Sequence, residues 1–505
     1  MSKGIVAGAA VLGLVGAGVG GYFAIDYRVR TTIDEQFSTT SQNHPLISSA
    51  SYDSIDVDLL KDRVTLNNVQ LGMDLSALDA HYSARQPSMH IKGNMQQSFE
   101  TVSILGAWDI LFGATKVKHT ELKGGAFSGT VIQTKTTPAA DPTQSRELTQ
   151  KNTKPQGPQV TTTFDGTLGS TQIDGFDLSS VENVQALSAQ PFTMDGYKAQ
   201  DLKVAIAIKP FPQKAESLPA KQAQIIHVDI STARILGKQI SPTYFGLIRY
   251  ENTVFDIENP KPDGAPIHMT VGEISLTDTE VVDMIAVRST SELKDFVVDT
   301  SNIDDPKGKA FMAMLGIDRI NLNMKLHYDF DRTKHTISVT PFRLGLKQAG
   351  SMDVSFALNG LPEQNVLIQL EGLQGKPKKI NAALENALKD VALNQISIGY
   401  RDEGVLKKIL ATQALQMKAE PAQLAQAYAQ QGAMIINAVF GEEQALKAQK
   451  NLTAFLTEPD ALRIKLTAKT PVNLKALEKD IKANGLMALK AFELDVQGGA
   501  DAIAN

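Results

Sequence analysis

Histidines and carboxylates are the side chains in this 505-residue sequence that could move protons or hold a metal, because it contains no cysteine. The absence removes disulfide frameworks, thiolate zinc sites, iron–sulfur clusters and cysteine nucleophiles together. Of the histidines, His327 and His335 are spaced to meet across a hairpin centred near Asp331. Even positions are apolar on the first strand and odd ones, Ile337 and Val339, on the second. His327 therefore falls in the polar phase and His335 in the apolar one, on opposite faces. The carboxylate pairs Asp56/Asp58 and Asp329/Asp331 alternate along strands, the spacing of a solvated polar side, and spacing alone does not perturb a pKa. A serine nucleophile on a Gly-x-Ser-x-Gly elbow is missing, since Gly125-Ala126-Phe127-Ser128-Gly129 displaces the serine by one. Gly308-Lys309 and Gly375-Lys376 lack the hydroxyl residue and upstream glycine of a phosphate loop. The sequence therefore implies no catalytic residues, no metal and no cofactor.

Charge narrows the partners. Fifty Lys and Arg against 55 Asp and Glu give a net charge of −5, with no basic tract, which excludes binding to nucleic acid by counterion release. At 42% hydrophobic and 21% charged the chain is long and apolar enough for several ordinary cores.

The elements that must position any site divide the chain into six stretches. Residues 1–25 read as a signal anchor: from Gly4 to Ile25 the run is uncharged and long enough as a helix to cross about 30 Å of hydrocarbon. A cleaved signal peptide is the alternative. Gly16 to Gly21 satisfies G-x-G-x-x-G, but no strand precedes it, so a dinucleotide site fails its context. Gly4, Gly8, Gly16 and Gly20 are instead spaced for close contact between membrane helices. Residues 26–51 form a juxtamembrane stalk. Residues 52–133 form a β/α unit. Its hairpin carries Ile55, Val57 and Leu59, then Val64 and Leu66, and its apolar parity slips at Asn67-Asn68 as at a bulge. A helix is expected over 99–112, from Val102, Ile104, Leu105, Trp108, Leu111 and Phe112.

Residues 134–163 are a Pro/Thr/Gln linker, 164–376 a β-rich domain with strand-like runs that include 281–287, and 377–505 a mainly helical region. Its helices are expected over 382–393, 404–417, 421–440 and 442–456, with two late strands at 462–468 and 491–496 flanking a helix at 473–482. The expected fold class is α+β: an N-terminal transmembrane helix, an antiparallel β-rich middle forming a curved sheet or groove, and a helical C-terminal region.

The strongest pattern is the meander from Asn321 to Leu358. Leu322, Met324, Leu326, Tyr328 and Phe330 alternate on its first strand, Ile337 and Val339 on its second, and Val354 and Phe356 on its third. These nine residues form one apolar face. Two readings stay open: an ordinary core covered by the C-terminal helices, or an open face for acyl chains, which gains about 0.8 kcal/mol per buried methylene.

The order of anchor, Ile55-x-Val57-x-Leu59 hairpin, Val64-Thr65-Leu66-x-x-Val69-x-Leu71 and a helix ending at Gly113 resembles the N-terminal unit of AsmA-like bacterial envelope proteins. The segments Ile396 to Val405 and Phe455 to Leu462 are similar to uncharacterised proteobacterial periplasmic proteins. The resemblance implies a single-pass inner-membrane protein, N-terminus inside and bulk periplasmic, that binds or moves phospholipid or supports the outer membrane. An envelope scaffold whose C-terminal helices bind another envelope protein is the alternative.

Overall fold

In a computed structural model, the structure describes residues 28, 30–31, 33–35, 47–79, 89–106, 116–135, 159–177, 193–209, 226–241, 243–258, 266–282, 285–299, 306–317, 319–361, 389–499 and 502. Residues 4–25, with the four candidate glycines, lie outside them. No helix among the described residues is long and apolar enough to cross a membrane. Two units emerge, the first from Met1–Tyr250 and Val254–Asp263, the second from Glu251–Thr253 and Gly264–Asn505.

The first unit is antiparallel sheet. β1 (Ile47–Ser51) and β2 (Ser54–Asp58) share one side of β3 (Arg63–Asp74). A meander then runs through β4 (Met89–Leu105), β5 (Lys116–Lys135), β6 (Gln159–Asp177), β7 (Met194–Lys209) and β8 (Ile226–Ser241), followed by β9 (Tyr244–Ile257). The expected hairpin is present. Its turn is pinned by Lys61, whose amide donates to Asp58 at 3.1 Å and whose ammonium lies 2.9 Å from it.

The parity slip has a backbone cause. Asn68 adopts φ 53°, Gly124 φ 58° and Asp201 φ 55°, the left-handed region that Gly, Asn and Asp tolerate. Register places Asn68 opposite Glu100, Gly124 opposite Gly169, and Gly169 opposite Asp201, one level running across β3 to β7. One left-handed residue reverses which face the following side chains take. Slips at the same level keep neighbouring strands in step.

This slip corrects the helix expected over 99–112. Residues 99–105 continue β4, paired on both sides, and 107–112 lie outside the described residues. Phe99 and Val102 pack on the same cluster although three residues apart, because they oppose Val69 and Leu66, which flank the left-handed Asn68. That step imitates helical periodicity. The strands also enter the expected linker at both ends, to Lys135 and from Gln159.

The second unit continues antiparallel pairing through β10 (Ile267–Val282), β11 (Ile285–Val298), β12 (Ile320–Asp331), β13 (Thr336–Leu346), β14 (Gly350–Asn359), β15 (Ala392–Asp402), β16 (Ala461–Asn473) and β17 (Phe492–Gly498). The run 281–287 is two strand ends, since β10 and β11 pair there as a hairpin. Helices α1 (Pro306–Leu315), α2 (Val405–Met417), α3 (Pro421–Phe440), α4 (Glu442–Thr457) and α5 (Leu474–Asn484) complete the unit. The region 377–505 is therefore mixed. Within the expected helix 382–393, Ala392 and Leu393 open strand β15, because pairing with β14 and β16 on both sides outweighs local helix propensity.

Well-buried apolar clusters sit in few places. One joins Ile33, Val57, Leu59, Val64, Leu66 and Val69, and others lie among the helices of the second unit. Along the described β4 to β8, the buried apolar side chains are Ile91, Ala199 and Ile235. Among the described residues no second layer packs tightly upon these strands. Close packing within the layer substitutes in part. Phe127 lies over Gly166 and Phe164 over Gly129, where a β-carbon would come within 2.5 and 2.6 Å of the rings.

The left-handed level can be tested. Asn68→Ala and Asn68→Gly both lose the 2.9 Å hydrogen bond to Asp53. Only alanine keeps the left-handed strain, so it should be the less stable of the two by about 1 kcal/mol in urea unfolding. Equal stability would remove the strain argument.

Candidate functional site

Antiparallel register makes directly opposed residues share a face. All nine nominated residues fall on one face of the second unit: Met324 opposes Leu344, Leu326 opposes Phe342, Tyr328 opposes Val339, and Phe330 opposes Ile337. Val339 opposes Phe356, and Phe342 opposes Val354. The change from odd to even apolar positions within β13 is absorbed between Val339 and Phe342, where the register shifts. The face extends further than the nominated set. Val354 opposes Ile398, Ile398 opposes Ile464, and Ile464 opposes Val496. Alternation in Ile396-x-Ile398-x-Tyr400 and Leu462-x-Ile464-x-Leu466 carried that signal in the sequence.

Exposure varies along this face, and Val339, one of the nine, is only 6% exposed. Val496 is 3% exposed, whereas Ile464 is 39% and Ile398 48%. Leu344 at 37% and Met352 at 40% are open as well. The cover over Val496 comes from α4: Asn451 donates to the Val496 carbonyl at 2.8 Å, and Lys447 lies 3.2 Å from Asp495. Among the described residues α4 covers β17 and touches β15 through Phe455 at Tyr400, while Ile464 and Ile398 stay exposed. A large antiparallel sheet is left open on its apolar side, of the kind that marks an interaction surface.

The helices attach at one end of this face. Tyr400 meets Phe455 edge to face at 6.3 Å, and Leu346 packs with Ile317, Val405 and Ile409. Asp402 organises the junction. It accepts from the Tyr400 hydroxyl at 2.9 Å and from the Gly404 and Leu406 amides at 2.8 and 2.9 Å, caring for two amides at the start of α2. Burial and the Asp402 acceptor hold the Tyr400 hydroxyl well above the ordinary tyrosine range. Tyr328 uses its hydroxyl on the Ala286 carbonyl at 3.1 Å, and burial raises its pKa too. The phenol tips are thus spent on the protein, leaving apolar rings on the face.

The opposite face is polar and cross-linked. Lys325 and Lys294 both reach Glu292, at 2.8 and 3.0 Å, and Arg288 reaches Asp329 at 2.8 Å. Arg343 grips the buried Asp353 with two hydrogen bonds of 2.6 and 2.8 Å, which raise the guanidinium pKa. His327 lies here with Thr290 at 2.8 Å, while His335 occupies the turn before β13 with φ 52°. The two imidazoles do not converge. The nominated aspartates serve structure: Asp331 accepts from the Thr333 and Lys334 amides, and Lys61 and Lys334 hold Asp58 and Asp331 below the usual carboxylate range.

A concavity of about 790 Å³ lies in the first unit, crossing its strands from Gln70 to Asp256. Most of its lining, including Gln96, Ser98, Asp165 and Lys203, belongs to the polar phase, and it shares no residue with the nine. A concave outline alone does not make it suitable for acyl chains.

A family model described as "Uncharacterized protein" matches residues 343–498. No curated protein matches the chain. The matched span starts at Arg343, holds Asp353 and the Asp402 junction, and closes at the end of β17.

Replacing Asp402 with alanine should cost about 2 kcal/mol, since the Gly404 and Leu406 amides lose their acceptor and the Tyr400 hydroxyl keeps only the Ala349 carbonyl at 3.1 Å. Hydrogen exchange should show faster opening of the Gly404 and Leu406 amides. Unchanged protection would remove Asp402 from the junction.

Proposed function

We propose that this chain is a non-enzymatic envelope protein that holds lipid acyl chains against the open apolar face of its second unit. The observation that carries the reading is the exposure of Leu344, Met352, Ile398 and Ile464 on one continuous face. Covering about ten methylenes there contributes roughly 8 kcal/mol before ordering costs, with no specific polar partner required. The charge balance excludes attraction to headgroups over the whole surface as the main force. The uncharged run from Gly4 to Ile25 and the AsmA-like pattern of the hairpin support an inner-membrane anchor with a periplasmic body, acting in phospholipid movement or outer-membrane homeostasis.

A second reading rests on the helices. Leu415, Met417, Met434 and Leu446 are 81%, 63%, 68% and 61% exposed. A scaffold that docks another envelope protein through α2 to α4 would use them.

Native mass spectrometry of the detergent-extracted full chain should find copurified phospholipid. Ile398→Asp should abolish it while leaving the melting transition in place, because that side chain is half exposed. A stable wild-type protein that carries no lipid would overturn the acyl-chain reading. In-cell crosslinking from Met434 to one defined protein would favour the scaffold.

A further inference from the structure

At the β17 side of the second unit lies a cavity of about 520 Å³, within the size range of small-molecule sites. Its apolar lining is Val439 and Phe440 from the end of α3, with Phe492 and Leu494 from β17. Lys469 from β16 and Lys490, just before β17, also line it. The Lys469 ammonium donates to the Lys490 carbonyl at 3.4 Å, which draws the two residues together and leaves further N–H donors on each head. Both lysines are exposed, and neither is paired with a carboxylate among the described residues. Glu493 is the opposing charge in the lining.

Leu494 connects this cavity to the open face. It opposes Leu466, Leu466 opposes Ile396, and Ile396 opposes Phe356. An apolar row therefore leads from two cationic heads into the nominated residues. We infer that the cavity seats the anionic head, carboxylate or phosphate, of an amphiphile whose chain follows this row. Lysine suits either head as a compact point charge. The inference rests on the acyl-chain reading and adds a charge requirement to it.

The test uses the full chain in neutral detergent and titrates four probes of equal chain length: a fatty acid, its uncharged monoacylglycerol, lysophosphatidylglycerol and lysophosphatidylcholine. Wild-type protein should favour the anionic member of each pair by about tenfold. The Lys469→Gln, Lys490→Gln double variant should lose that preference while binding the uncharged probe as before, and Glu493→Gln should enlarge it. The fatty-acid and phospholipid arms show which head the site takes. Equal binding of charged and uncharged probes by the wild type, or a preference that survives the double substitution, would overturn the head site and leave the acyl-chain reading intact. Binding of none of the probes would overturn both.

Discussion

Backbone handedness at one level of the sheet governs how the first unit can exist. A strand of strict alternation keeps each side chain on its assigned face from end to end. Here Asn68, Gly124 and Asp201 reverse that assignment. Were only one strand to slip, its apolar side chains would leave the shared face and turn toward water. The slips recur at a matching level, so Val64, Leu66, Val69, Phe99 and Val102 all meet one cluster. Gly, Asn and Asp are the residues that bear this conformation at least cost, which is why a run of otherwise ordinary strands carries them there.

The layout that results concentrates burial at ends and leaves faces open. In the first unit the tight apolar cluster lies around β2 and β3; in the second, the helices gather theirs around Leu410, Ala414 and Leu424. Between such clusters, stability must come from backbone ladders and from cross-strand pairs. The polar side answers with ion pairs shared between neighbouring strands, such as Lys294 with Glu273 and Glu292 with Lys325. These pairs are partly exposed and individually weak. Arg343 with Asp353 differs, because its carboxylate is buried and gripped twice.

The sequence was most legible where periodicity was undisturbed. The meander over β12 to β14 and the bounds of α3 follow directly from alternation and from Pro421 and Gly441. It misled where a backbone event altered the spacing, as between Phe99 and Val102, and where composition favoured helix, as at Ala392 and Leu393, but pairing on both sides imposed a strand. The shared face of the nine nominated residues was readable. Its extension to Ile398 and Ile464 was also present as alternation, yet the question of cover was not, since exposure depends on where α4 comes to lie. The lysines at the β17 cavity stand far apart in sequence from Phe440 and carry no motif; only the return of the chain brings them together.

The position of α4 also bears on how this chain meets other copies of itself. A β-strand with free backbone groups along one side is a template for another chain, and it can seed ordered aggregates. β17 pairs with β16 on one side, and on the other Asn451 occupies the Val496 carbonyl while the Gly498 backbone abuts the same residue. A second molecule cannot extend the sheet there without first displacing the helix. The apolar face can thus stay uncovered while strand addition at that border is blocked by a neighbouring element of the same chain.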